Sequence, residues 1–193
     1  MDELLVGTLL PGATRIDVGN VNPVWRGNVL LQDYHRQMYI KQVPPRTLAV
    51  EIVCALMGRA LGLPVPRPAI VLVSSDVLPG VQGSRLLFFG SESVDNPDLK
   101  QWMAKDHDGT VELLMRWSKL LDAGCFDELI ANGDRHGGNI LFNGNGKFVL
   151  IDHSEAMQPY INASDPAHQN VLLQCAAEGK QASEVDQLYA KAR

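Results

Sequence analysis

Asn132-Gly133-Asp134-Arg135-His136-Gly137-Gly138-Asn139, followed by Ile140-Leu141-Phe142, Asn143-Gly144-Asn145-Gly146 and Phe148-Val149-Leu150-Ile151-Asp152-His153, carries the densest information in this chain. The repeated Asn-Gly between two short apolar runs is a strong hairpin signal. A loop at 143–146 pairs residues 140–142 roughly with 147–149. The mouth of that hairpin then gathers Asn139 and Asp152, with Asp134 a few loop residues upstream. Two carboxylates and an amide oxygen at one open end suit Mg²⁺, a hard cation held by one or two protein groups plus substrate phosphates. A carboxylate that is not a ligand is placed to take a proton from an attacking hydroxyl.

Phosphate chemistry also needs a cation, and the first half of the chain offers one. Lys41 sits in the apolar run Met38-Tyr39-Ile40-Lys41-Gln42-Val43, where an unpaired lysine is costly. The only acidic residue between positions 34 and 75 is Glu51. It falls on a helix predicted from Thr47 to about Leu61 by the spacing of Val50, Val53, Cys54, Met57 and Leu61. Ala55, Gly58 and Gly62 give that helix a small-residue face. A strand lysine paired with a glutamate on the next helix is the phosphate-positioning device of kinases.

Strands are expected at 29–31 and 38–43, around a polar turn at 32–36, with Pro44-Pro45 ending the second. Two more are expected at 69–73 and 84–89, separated by a turn near Pro79. The second half turns helical, with one long helix from Thr110 through Leu129 and two more after Asp165-Pro166 and from Ser183. Gly, Ser, Asp and Asn cluster at 90–96 and mark a boundary. The predicted fold class is α+β, with residues 1–90 a small, mostly antiparallel sheet carrying one helix and residues 91–193 mostly helical.

Composition excludes several functions. The chain has 193 residues, 46% of them hydrophobic, with 17 basic and 22 acidic side chains and a net charge of −5. That balance argues against broad binding to nucleic acid or anionic membrane. No apolar run approaches the roughly 20 residues that span a bilayer. Three dispersed cysteines and the absence of a leader pattern point to a cytoplasmic protein.

"MYIKQV", "AVEIVCALMGRALGLPVP", "NGDRHGGNILF" and "VLIDH", in this order, resemble a HipA-like kinase, and the Asp-Arg-His-x-x-Asn loop is also similar to that of phosphatidylinositol kinases. The resemblance covers roughly residues 10–157. It implies a minimal two-lobed protein-kinase-like fold, with a nucleotide-binding N-lobe at 1–90 and a shortened C-lobe at 91–193. It implies ATP and Mg²⁺ as cofactors and a hydroxyl acceptor, protein Ser/Thr first. Asp134 would be the catalytic-loop aspartate in loop 132–139, Asn139 and Asp152 the metal ligands, and Lys41 the phosphate contact held by Glu51. Leu87, Phe88 and Phe89, with Gly90, would be the hinge that receives adenine. His153-Ser154 stands where protein kinases carry Phe-Gly. The phosphate loop lacks GxGxxG, leaving residues 17–22 and Gly27-Asn28 as competing candidates.

Other readings use the same residues. Asp134, Asn139 and Asp152 also suit plain turns, and Lys41 with Glu51 an ordinary surface pair. His136 fits a role bonding the loop backbone, while His136, Asp152 and His153 together would make a hydrolytic metal centre. A pseudokinase or nucleotide-binding interaction module without transfer is the main alternative, ahead of a lipid or small-molecule kinase. The short region after Asp152 leaves room for an oligomer or partner on the acceptor side.

Overall fold

The computed structural model describes residues 4–16, 22–78, 86–159 and 170–177. They divide into two units, one of residues 1–60 with 66–94 and one of residues 61–65 with 95–193.

The first unit is built on a six-stranded sheet: β1 (Leu5–Leu9), β2 (Thr14–Ile16), β3 (Val24–Leu30), β4 (His35–Lys41), β5 (Pro68–Val73) and β6 (Leu86–Glu92). Strand order is β1-β5-β6-β4-β3-β2, and β1 also pairs with β3, so five of the strands close into a barrel. The sheet is not wholly antiparallel, because β1 runs parallel to β5 from Leu5↔Ala69 to Thr8↔Leu72. Alternate residues point inward: Val29, Met38, Ile40, Val71, Val73 and Phe88 are among those filling the interior. Gly7 permits the closure, since a Cβ there would stand 2.5 Å from the carbonyl oxygen of Leu30 and 2.6 Å from Val29 Cγ1.

Several local expectations shift. The strand anticipated at 29–31 is the end of β3, which begins at Val24. β1 and β2 were invisible to an alternation rule because both are short and Gly7 interrupts the first. Helix α1 (Pro45–Ala60) starts two residues before Thr47. Proline is tolerated in a helix's first turn, where its missing N–H costs nothing, so Pro44-Pro45 both ends β4's extension and opens α1. Gly62, at φ +73, follows the helix's end. The turn near Pro79 lies outside the described residues.

The second unit contains α2 (Leu99–Met103), α3 (His107–Met115), α4 (Leu120–Leu129), the hairpin β7 (Ile140–Phe142) and β8 (Phe148–Leu150), and α5 (Val171–Ala177). The single helix expected from Thr110 to Leu129 is two helices. Asp106, not Thr110, caps the first, accepting from the Gly109 N–H at 3.0 Å. Between them the chain tightens, with Trp117 N–H bonded to Leu114 O and Leu120 N–H to Trp117 O. Trp117 there packs on Phe148, ring centroids 5.2 Å apart. Asn170 donates to Gly124 O and Glu128 Oε1, both at 2.9 Å, fastening α5 to α4. Residues 61–65 belong to this unit, and Leu150 N–H bonds Pro64 O at 2.9 Å. The helix expected from Ser183 lies outside the described residues. No described helix is long and apolar enough to cross a membrane.

Candidate active site

In the first unit Lys41 ends β4. Met38 and Ile40 face the barrel interior, so period-two alternation turns Lys41 outward. Its Nζ meets Glu51 Oε1 at 3.1 Å. Glu51 lies on α1 and is 1% exposed, while the lysine side chain keeps 17% exposure. A pair this enclosed is not an ordinary surface pair. Ala55 and Gly58 are buried on the same helix, which packs against β5 and β6.

Leu87, Phe88 and Phe89 lie inside β6, opposite Leu72, Val71 and Ile70 of β5. Phe89 also faces Lys41 across β4, making the two cross-strand neighbours on the outer face. Phe88 points into the barrel and is 1% exposed. Phe89 is paired on both sides, with Ile70 and Lys41, whereas Leu87 and Phe88 are paired with β5 alone. Of the phosphate-loop candidates, residues 17–21 lie outside the described residues. Gly27-Asn28 is a mid-strand pair in β3, opposite Met38 and Gln37, and not a loop.

In the second unit the hairpin forms with Ile140 opposite Leu150 and Phe142 opposite Phe148, one residue from the expected register. Asn143 Oδ1 accepts from the Asn145 and Lys147 N–H groups at 2.9 and 3.1 Å, shaping the turn. At the open end Ile151 N–H bonds Asn139 O at 3.1 Å, so Asn139 is tied through its backbone to the residue that precedes Asp152. Asn139 Nδ2 donates to Asp134 O at 2.9 Å and approaches Asp134 Oδ2 at 3.4 Å. That spends the amide's donor end on the loop and turns Oδ1, a hard oxygen, the other way. Asp152 has φ +58, a left-handed conformation, and its Oδ1 accepts from Ser154 N–H at 3.4 Å.

The histidines separate. His136 Nδ1 accepts from Gly138 N–H at 3.0 Å, and its Nε2 stands 3.9 Å from Asp134 Oδ2. His153 is buried, edge-on to Phe126 at 5.9 Å between ring centroids. Among the described residues no group of three or more His, Cys, Asp and Glu side chains could hold a metal ion, which removes the His136, Asp152, His153 hydrolytic centre. The oxygen donors Asn139 and Asp152 instead fit Mg²⁺, which needs few protein ligands.

Sequence reading missed the group that braces the loop. Arg135 bonds Asp127 through Nε and Nη2 at 2.9 and 3.0 Å, with both side chains at or below 1% exposure. Asp127 also accepts from Asn132 Nδ2 at 3.1 Å, and Asn132 Oδ1 accepts from Asp134 N–H at 3.3 Å. The signal was an acid on the buried face of α4 eight residues before an arginine in a glycine-rich loop.

The sequence model described as HipA-like kinase matches residues 33–189. No curated protein matches the chain.

Proposed function

This chain belongs to the HipA-like kinase family, and on that premise we propose that it is an ATP- and Mg²⁺-dependent phosphotransferase acting on a protein Ser/Thr hydroxyl. The family points to kinase-type phosphoryl transfer, and one observation supports these residues as its site: the Asp134 loop and the strand before Asp152 are hydrogen-bonded together at Asn139 and Ile151. We further propose the two-lobed kinase-like arrangement, the first unit serving the nucleotide and the second the transfer.

In this reading Asp134 orients the acceptor hydroxyl and takes its proton as the oxygen attacks phosphorus. Its side chain is about half exposed, open to an incoming substrate. Lys41 meets the nucleotide phosphates, and Glu51 holds its ammonium in place. Asn139 and Asp152 hold Mg²⁺, which when bound neutralises phosphate charge in the transition state. Leu87, Phe88 and Phe89, with Gly90, form the segment that receives adenine. Catalysis in such a site is positioning and charge compensation. All three cysteines are free thiols, which supports a reducing, cytoplasmic setting.

The test is transfer from labelled ATP in the presence of Mg²⁺ to a protein mixture or to the chain itself. Asp134→Asn should abolish transfer while leaving ATP binding intact, read as a thermal shift. Transfer that survives Asp134→Asn defeats the assignment. A nucleotide shift in the native chain with no transfer to any acceptor favours the binding-module alternative.

A further inference from the structure

Arg135 does more than balance Asp127. With Nε and Nη2 committed to that carboxylate, Nη1 donates to two backbone carbonyls, Asn139 O at 2.9 Å and Ile151 O at 2.6 Å. Asn139 is one proposed cation ligand, and Ile151 immediately precedes the other. A guanidinium is a rigid planar fork, so fixing two of its nitrogens fixes the direction of the third. Asp127 supplies that fix from α4. The arginine therefore spans a helix, the loop and the strand leading to Asp152. It does so beside the left-handed turn at Asp152, a conformation that persists when surrounding structure over-determines it.

We propose that Arg135 is a positioning residue that sets the spacing of the Asn139 and Asp152 donors, so that divalent-cation affinity depends on a side chain touching neither cation nor nucleotide. The proposal rests on the ligand assignment made above. Lysine keeps the charge but offers a single nitrogen, which cannot hold a bidentate carboxylate and two carbonyls at these directions. Arg135→Lys should therefore loosen the donors without deleting either.

The test is Mn²⁺ binding to the full chain in the presence of a non-hydrolysable ATP analogue, followed by the electron paramagnetic resonance signal of free Mn²⁺. Arg135→Lys should weaken Mn²⁺ binding by about 10–100-fold, the usual effect of losing an outer support of a metal ligand. Affinity for the analogue without metal should stay within about twofold of the native value, which general unfolding would not allow. Should Arg135→Lys fold poorly, Arg135→Met combined with Asp127→Asn leaves no buried charge, keeps an acceptor for Asn132, and should show the same selective loss. Native Mn²⁺ affinity in either folded variant, alongside loss in Asp152→Asn, overturns the positioning role alone. Absence of Mn²⁺ binding in the native chain, or its survival in Asp152→Asn, overturns the ligand assignment and this proposal with it.

Discussion

Replacing Asp152 separates what its backbone costs from what its side chain does. At φ +58 an ordinary L-residue sits in the left-handed region, where Cβ crowds the following carbonyl at about 1–2 kcal/mol, while Asn and Asp tolerate it through local hydrogen bonds. Asp152 Oδ1 makes such a bond to Ser154 N–H, long at 3.4 Å. Asparagine can keep both the tolerance and the bond, and alanine loses both. Asp152→Ala should therefore be less stable than Asp152→Asn by about 1–2 kcal/mol, a difference of roughly 2–8 °C in Tm for a domain of this size. Asp152→Gly should fall between them, relieved of Cβ but carrying about 0.5–1 kcal/mol of extra chain entropy. Calorimetry of the three variants without ligand reads this order, and a phosphoryl-transfer assay reads the chemistry. All three should be inactive. Equal stability of the alanine and asparagine variants would refute the conformational argument, and transfer by the asparagine variant would refute the ligand role.

Other consequences are open to measurement. Lys41→Met and Glu51→Gln should each lower kcat/KM for ATP by about tenfold or more, the scale of a lost charge-assisted contact; native kinetics in both would return the pair to a structural role. Gly7→Val places a side chain against the Leu30 carbonyl and should destabilise the first unit by about 1–3 kcal/mol, as overpacking does, seen in urea unfolding. Burial, with Asp122 adding to it, pushes the Cys125 thiol up. Iodoacetamide at pH 8.5 should thus label Cys125 more slowly in the folded chain than in the unfolded one, read by mass spectrometry.

The parts of this molecule that sequence disclosed are those where residue type and spacing leave few options. Asn143-Gly144-Asn145-Gly146 forces a turn, and the hairpin followed within one residue of register. Lys41 and Glu51 met because an apolar strand gave the lysine one acid to find. What stayed hidden depends on contacts distant in sequence. The barrel closes through β1 on β5 and β3, pairings that no local periodicity encodes. The break between α3 and α4 comes from Trp117 reaching Phe148, which a helix pattern cannot report. The strand expected to end at Phe89 continues as β6 to Glu92, because Gly90, Ser91 and Glu92 find partners in Ile40, Tyr39 and Met38 of β4. Arg135 looked like a motif letter, and only Asp127 on α4 gave it a function.

The parallel pairing of β1 with β5 also dictates an order of events during synthesis. Residues 5–9 cannot find residues 69–72 until about sixty more have been joined, which at about 5–20 residues per second takes several seconds. β3 can cover one edge of β1 at Thr8 and Leu9 sooner, but for that interval the edge that meets β5 stays open, the kind of edge that recruits other chains. Mutations that slow the capture of β1, such as those at Gly7, should therefore reveal themselves in living cells as reduced yield and chaperone dependence before they register as a lower melting temperature. For this kinase-family chain, β1 is made long before the strand that secures it along its parallel edge.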